Sequence, residues 1–276
     1  MAQPAMARDA VRVLRHQIAK MEGRLAERLD PETAGPKSQA PLLPTGVAAF
    51  DRALGGGIPA AGLMELHASA ARDAGMATGL ALAFAGLRHG EGGPVLWVAT
   101  SSALREAGRP YAPGLAEAFG LNPDRLLLAE APRLADVLWV AEEAAALAAF
   151  AAVLLDVDGS SSCLDLTATR RLHRRALHAG HPLMLVRQVG RPEPTAAPLL
   201  LVVSPAPAGL RSTRGGQLTG SIGPPAFHVT ISKSRTAIPA AFTLEWADDA
   251  FRERHDPSAA DPRTVVSLFA GRQAAA

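Results

Sequence analysis

Short apolar runs alternate with longer helix-like stretches through the middle of the chain, and this alternation constrains the fold more than any other feature. The apolar runs occupy residues 62–67, 94–99, 125–129, 151–157 and 182–189. Helical stretches follow the first four runs, at residues 74–89, 113–119, 134–149 and 164–178. Apolar strands separated by helices are typical of a mainly parallel sheet with helices on both faces. The sequence therefore predicts an α/β fold.

Three further strand-like runs, at residues 198–204, 226–235 and 241–246, follow without helices between them. Because antiparallel strands need no crossover helix, these runs predict an antiparallel C-terminal extension with a hairpin. The segment from residue 249 is charged at first and then rich in small residues, which is typical of a loose terminus. We expect the main domain to cover residues 45–248 and a flexible tail to cover 249–276.

The first 30 residues predict an amphipathic helix. Its apolar side chains step by three and four residues, which places them on one stripe: Val11, Leu14, Ile18, Met21 and Leu25. Residues 31–44 are rich in proline and polar residues and indicate a linker. Leaving the stripe in water would cost roughly 1.5–3 kcal/mol for each large side chain. We expect the helix to bind another copy of the chain or a partner protein, or else to fold back onto its own domain.

Composition limits the classes of protein that remain. Apolar residues make up 48% of the chain and charged residues 20%, which is typical of a globular protein. A single cysteine, Cys163, excludes an internal disulfide and fits a reducing compartment. The longest apolar run, 144–155, is shorter than the ~20 residues that a membrane span needs. We expect a cytoplasmic protein without membrane contact.

The segment 43–66 carries an ordered set of residues that resembles the opening of the RecA/KaiC-type ATPase core. That family has a Thr-Gly pair, an aspartate, a Leu-Gly-Gly turn and a glycine before the first strand. The matching residues are Thr45, Gly46, Asp51, Leu54, Gly55, Gly56 and Gly62. The resemblance implies a RecA-like core with a phosphate-binding loop after the first strand.

The segment that should form this loop, residues 67–79, lacks the residues that bind a nucleotide. A phosphate loop needs a lysine for the β- and γ-phosphates and a hydroxyl for Mg²⁺. No lysine occurs between Lys37 and Lys233. The aligned positions of the degenerate nucleotide site are Gly75, Met76, Ala77 and Thr78, with methionine at the lysine position and alanine at the hydroxyl position. The resemblance therefore implies a protein with no catalytic residue, no metal and no nucleotide cofactor.

Other positions of the ATPase site survive in part. Asp156 ends the apolar strand 151–157, where the family holds Mg²⁺ through water, and Gln188 matches the glutamine that senses the γ-phosphate. The run 94–99 is followed by Thr100 and ends without the carboxylate that activates water in the family. Lys233 and Arg235 match a pair that reaches the neighbouring subunit in RecA. They are a candidate subunit interface, and the alternative is a solvated edge-strand face.

The inactive loop, the N-terminal helix and the charged tail together resemble the ImuA family over about residues 8–250. This resemblance implies an accessory protein of the SOS response that takes part in mutagenic translesion DNA synthesis. Its partners would be ImuB, an inactive relative of Y-family polymerases, and the error-prone DNA polymerase ImuC. Two alternatives remain open, a SulA-type cell-division inhibitor and an active RecA-like ATPase.

Four arginines at helical spacing form a basic patch in the stretch 164–178: Arg170, Arg171, Arg174 and Arg175. Such a run is most often a solvated helix face. It could also contact a polyanion, either a nucleic-acid backbone or an acidic partner. The sequence leaves both direct DNA contact and the oligomeric state open.

Overall fold

A computed structural model of the chain describes residues 41–68, 70–88, 93–159, 163–188, 194–234 and 240–254. The chain divides into two units, Met1–Pro41 and Leu42–Ala276, and nearly all described residues belong to the second. The predicted N-terminal helix, with its stripe from Val11 to Leu25, lies outside the described residues. The same holds for Arg235.

Six α-helices occur within the described ranges: α1 (Ala48–Leu54), α2 (Ala74–Gly86), α3 (Ser101–Ala107), α4 (Ala112–Phe119), α5 (Leu134–Ala145) and α6 (Leu166–Ala179). The strands of these ranges are β1 (Leu42–Leu43), β2 (Ile58–Pro59), β3 (Gly62–Ala68), β4 (Val95–Thr100), β5 (Leu126–Ala131), β6 (Ala152–Val157), β7 (Pro182–Arg187), β8 (Leu200–Pro205), β9 (Arg211–Thr213), β10 (Gly216–Leu218), β11 (Ala226–Lys233), β12 (Ala241–Ala247) and β13 (Ala250–Glu253). Within these ranges, no helix has the length and apolar character that crossing a membrane requires.

Nine strands form one mixed sheet in the order β13-β12-β11-β8-β3-β7-β6-β4-β5. The six strands from β8 to β5 are parallel, and β11, β12 and β13 extend the sheet antiparallel beyond β8. The prediction of an α/β fold with a mainly parallel sheet and an antiparallel C-terminal extension is confirmed.

Helices cover both faces of the sheet because the strand side chains are apolar on both sides. On one face Leu66, Leu154 and Val186 pack with the apolar residues of α2. On the other face Leu63 and Leu155 pack with α5 and α6. The two faces meet different helices, but the carboxyl ends of the parallel strands share one edge. This edge is where ligands bind in open α/β sheets.

The turn before α1 is organised by Asp51. Its carboxylate accepts hydrogen bonds from the Thr45 amide (2.9 and 3.1 Å), the Thr45 hydroxyl (2.8 Å) and the Gly46 amide (3.1 Å). Gly46 has φ +88°, a conformation that glycine adopts without strain and that directs its amide to Asp51. Hydrogen bonds among Thr45, Gly46 and Asp51 therefore hold this turn together. The Asp51 carboxylate is already used within the turn.

The boundaries of the predicted domain need correction at both ends. The predicted linker 31–44 includes β1, which pairs antiparallel with β2. The predicted tail from residue 249 includes β13, which pairs with β12 through a tight turn at Asp248 and Asp249. The side chain of Phe251 is 4% exposed and packs into the core. The domain therefore extends from residue 42 to at least Glu253.

Candidate functional site

The α2 N-terminus lies at the carboxyl edge of the sheet, where a RecA-type phosphate loop would lead into its helix. Ala70 is extended, a short 3₁₀ turn covers Ala71–Asp73, and α2 follows at once. Asp73 at this terminus is 5% exposed, whereas the adjacent Arg72 side chain is 87% exposed and has its Nε 3.7 Å from the Asp73 carboxylate. A helix N-terminus attracts anions. Here a carboxylate of the chain already lies buried at that terminus.

The residues aligned with the nucleotide-binding positions do not present cations or hydroxyls to solvent. Gly75 is exposed, and Met76 is half-buried with its side chain against the apolar core. Ala77 and Thr78 are buried in the first turns of α2. A phosphate at this site would therefore meet the negative charge of Asp73 without a lysine to offset it.

Asp156 and Gln188 come together at the ends of the adjacent strands β6 and β7. The Gln188 amide donates a 2.6 Å hydrogen bond to Asp156 Oδ1, and the two residues are 4% and 6% exposed. Burial raises the pKa of Asp156 to about 6, although the hydrogen bond from Gln188 opposes the rise. The structure thus places together two residues that the sequence linked only through the family pattern.

Thr100, at the end of β4, caps α3. Its hydroxyl oxygen accepts a hydrogen bond from the Ala103 amide at 3.3 Å and lies 3.0 Å from the Ser102 hydroxyl. Threonine is a common helix cap. The position that would carry a water-activating carboxylate in the family therefore has a local structural role in this chain.

A second polar cluster at the same edge contains a buried ion pair that the sequence did not reveal. Arg187 Nε lies 3.0 Å from Glu65 Oε1, and these side chains are 1% and 0% exposed. The Thr195 hydroxyl donates to Glu65 Oε2 at 2.7 Å, and Lys233 Nζ donates to the Thr195 carbonyl at 2.9 Å. The cluster ties β3, β7 and β11 to the segment before β8. It also gives Lys233 a partner within its own chain.

The four arginines of the predicted basic patch divide into two pairs on α6. Arg171 donates to the Glu142 carboxylate at 2.6 and 3.0 Å. Arg175 donates to the Glu142 carbonyl at 2.9 Å and to the Glu143 carboxylate at 3.1 Å. Arg170 and Arg174 are exposed and form no ion pair within the part of the chain that the structure describes. Half of the patch therefore joins α6 to α5, and the other half faces solvent.

Comparison with known protein families and curated proteins identifies no relative of this chain. The chain matches no protein-family model, and no curated protein matches it at a significant level. Membership of a family is therefore a proposal that rests on residue patterns and geometry.

We expect Asp156→Asn to remove a pH dependence of stability between about pH 4 and pH 6. The pKa of Asp156 is about 6 in the folded protein, above the value near 3.9 of an unfolded chain. Between these values the folded state holds more protons than the unfolded state, so stability falls as pH rises. The loss amounts to roughly 2–3 kcal/mol above pH 6. Urea unfolding at a series of pH values would measure it.

The matched control for this prediction is Asp158→Asn, which changes an exposed carboxylate two residues further on. This control should keep most of the fall in stability from pH 4 to pH 6, because burial raises the pKa of Asp156 far more than the nearby charge of Asp158 does. If Asp156→Asn kept the same slope as the parent protein, Asp156 would not be the group responsible.

Proposed function

We propose that the chain is a non-catalytic RecA-like accessory protein of damage-induced mutagenic translesion DNA synthesis, of the ImuA type. In this role it acts as an adaptor for an ImuB-like inactive polymerase relative and an error-prone polymerase. The observation that carries the proposal is the α2 N-terminus. There Met76 stands at the lysine position, and a buried Asp73 lies at the helix terminus within an otherwise well-formed α/β core.

Three features support a RecA-like core. The parallel strands follow the order β5-β4-β6-β7-β3-β8, and β3, the middle strand of the nine-stranded sheet, leads into the helix at the phosphate-loop position. The Thr45–Asp51 turn precedes this strand and is held by its own hydrogen bonds. Asp156 and Gln188 lie side by side at adjacent strand ends. The second and third features match positions of the family pattern in the sequence.

The polar groups that remain at this edge support a non-catalytic role because they are used within the chain. Thr100 caps a helix, Gln188 donates to Asp156, and Glu65 accepts from Thr195. Phosphoryl transfer requires positive charge that stabilises the transferring group. A protein that keeps the fold and lacks this charge acts through the partners that its surfaces bind.

The purified full-length protein is expected not to turn over ATP, with or without single-stranded DNA. The reason is the absence of lysine in residues 67–79 together with the buried Asp73. A phosphate-release assay over hours would measure turnover, with Asp156→Asn as the paired variant. DNA-stimulated turnover that disappears in Asp156→Asn would show an active ATPase and overturn the proposal.

Co-purification tests the adaptor function against its closest rival. A tagged full-length chain is expected to retain an ImuB-like protein when the two are produced together, and not to retain FtsZ. Retention of FtsZ alone would favour a SulA-type division inhibitor. Leu14→Asp with Ile18→Asp, compared with the parent chain, would show whether the predicted N-terminal stripe contributes to that retention.

A further inference from the structure

The outer surface of α5 and α6 combines an exposed tryptophan with two arginines that pair with no carboxylate of the described residues. Trp139 of α5 is 66% exposed and lies one turn before Glu142 and Glu143. On α6 the residues at positions 166, 170, 174 and 177 fall on one stripe, because residues three and four apart lie on the same helix face. All four are exposed: Leu166, Arg170, Arg174 and Leu177.

Ion pairs fix the relation between the two helices beneath this surface. Arg171 and Arg175 point to Glu142 and Glu143, and these contacts hold α6 against α5. Leu172 and Ala176 are buried against the sheet on the opposite side of α6. The packing of α5 and α6 therefore holds this surface in place. Trp139, Arg170 and Arg174 are exposed on it.

We propose that this α5–α6 surface docks a segment of a partner protein that carries carboxylates and at least one large apolar side chain. The carboxylates would pair with Arg170 and Arg174, and the apolar side chain would cover Trp139 together with Leu166 or Leu177. Tryptophan and arginine are among the residues most enriched at the energetic centres of protein interfaces. This inference names a surface for the proposed adaptor function and rests on it.

The charge balance favours an acidic protein segment over a nucleic acid. Of the four arginines on α6, Arg171 and Arg175 pair with Glu142 and Glu143, and Arg170 and Arg174 are the two that form no ion pair with the described residues. Affinity for a nucleic-acid backbone grows with the number of phosphates that are neutralised, and two arginines would neutralise only a few. Exposed apolar side chains on the two helices, Trp139, Leu166 and Leu177, suit a short acidic and apolar segment better than a continuous chain of phosphates.

The test compares two charge-reversed variants of the full-length chain. One carries Arg170→Glu with Arg174→Glu, and the matched control carries Arg211→Glu with Arg214→Glu on the β9–β10 segment, where Arg211 and Arg214 are also exposed. The probe is a displayed library of 12-residue peptides, selected on the immobilised parent protein. Selected peptides are then synthesised and titrated against each variant and against Trp139→Ala, whose thermal unfolding is recorded alongside.

We expect the selected peptides to be rich in aspartate or glutamate with a leucine or aromatic residue. Their affinity should fall at least tenfold in Arg170→Glu with Arg174→Glu and in Trp139→Ala, and change less than twofold in the control. A single-stranded oligonucleotide is titrated in parallel. The inference would be overturned if the selected peptides bound Arg170→Glu with Arg174→Glu as tightly as the parent protein. It would also be overturned if no peptide bound and the oligonucleotide bound the parent protein but not this variant.

The same variants separate this inference from the proposed function. If the parent chain retains an ImuB-like protein and Arg170→Glu with Arg174→Glu retains it equally well, the docking surface is wrong and the function stands. If the parent chain retains no ImuB-like protein, the proposed function fails. Peptide binding that depends on Arg170 and Arg174 would still identify the surface as a docking site.

Discussion

Replacing Arg187 with methionine is expected to lower the free energy of unfolding by about 3–5 kcal/mol. Arg187 is 1% exposed, and its Nε lies 3.0 Å from a Glu65 carboxylate that is fully buried. Removing the arginine would leave that carboxylate charged in the interior or force it to take up a proton. Either outcome costs free energy, because the low-dielectric interior does not solvate an isolated charge. Guanidinium unfolding followed by circular dichroism would measure the loss.

Two further variants show whether the loss comes from the unpaired charge. Glu65→Gln with Arg187→Met removes both charges and keeps an oxygen that accepts from the Thr195 hydroxyl, so it should be more stable than Arg187→Met alone. Arg133→Met breaks an exposed ion pair with Asp136 and should change stability far less, because solvent screens an exposed pair. If Arg187→Met cost as little as Arg133→Met, the buried pair would contribute nothing specific to the fold.

The cluster around Glu65 also shows where sequence reasoning fails. Glu65 lies within an apolar strand, and Thr195, which donates to it, is 130 residues away. A strand pattern shows that one polar residue is present among apolar ones, but it does not identify a distant partner. A charged residue inside a fully buried strand is nevertheless a useful signal, because such a charge requires a partner.

The alternation of apolar runs and helices was sufficient to predict the parallel sheet. Helices cover both faces of such a sheet, so each strand is a nearly continuous run of apolar residues. The same pattern missed α3 and the β9–β10 pair. Helix α3 starts directly at the end of β4, so no loop separates the two elements. The strands β9 and β10 are three residues each and lack a buried apolar stripe. Short elements without periodic apolar residues carry little signal of their own.

The candidate site was predictable only in part. The family pattern indicated that Asp156 and Gln188 belong to one site, and the structure places them in direct contact. The burial of Asp73 could not be read from the sequence, because an aspartate beside an arginine in a loop is usually solvated. Its burial follows from the short 3₁₀ turn that leads into α2. The pairing of Arg171 and Arg175 with α5 likewise required the helix packing.

A chain that ends after Asp248 is expected to be less stable than one that ends after Arg254 by about 3–5 kcal/mol or more. The shorter chain loses β13 and with it Phe251, whose ring lies 4.7 Å from Trp246 and 5.4 Å from Phe84. Loss of a buried phenylalanine alone costs about 3–5 kcal/mol. The pairing of β13 with β12 would be lost as well. Thermal unfolding of the two truncated chains would measure the difference.

Phe251→Ala in the full-length chain separates the contribution of the Phe251 side chain to stability from the contribution of strand β13. We expect this variant to account for most of the loss, and Arg252→Ala, an exposed neighbour on the same strand, to change stability by less than about 1 kcal/mol. Because Phe84 belongs to α2, the helix whose N-terminus forms the candidate site, loosening Phe251 should also increase amide exchange along α2. Equal stability of the two truncated chains would place the end of the folded domain at residue 248, as the charged sequence of the tail suggested.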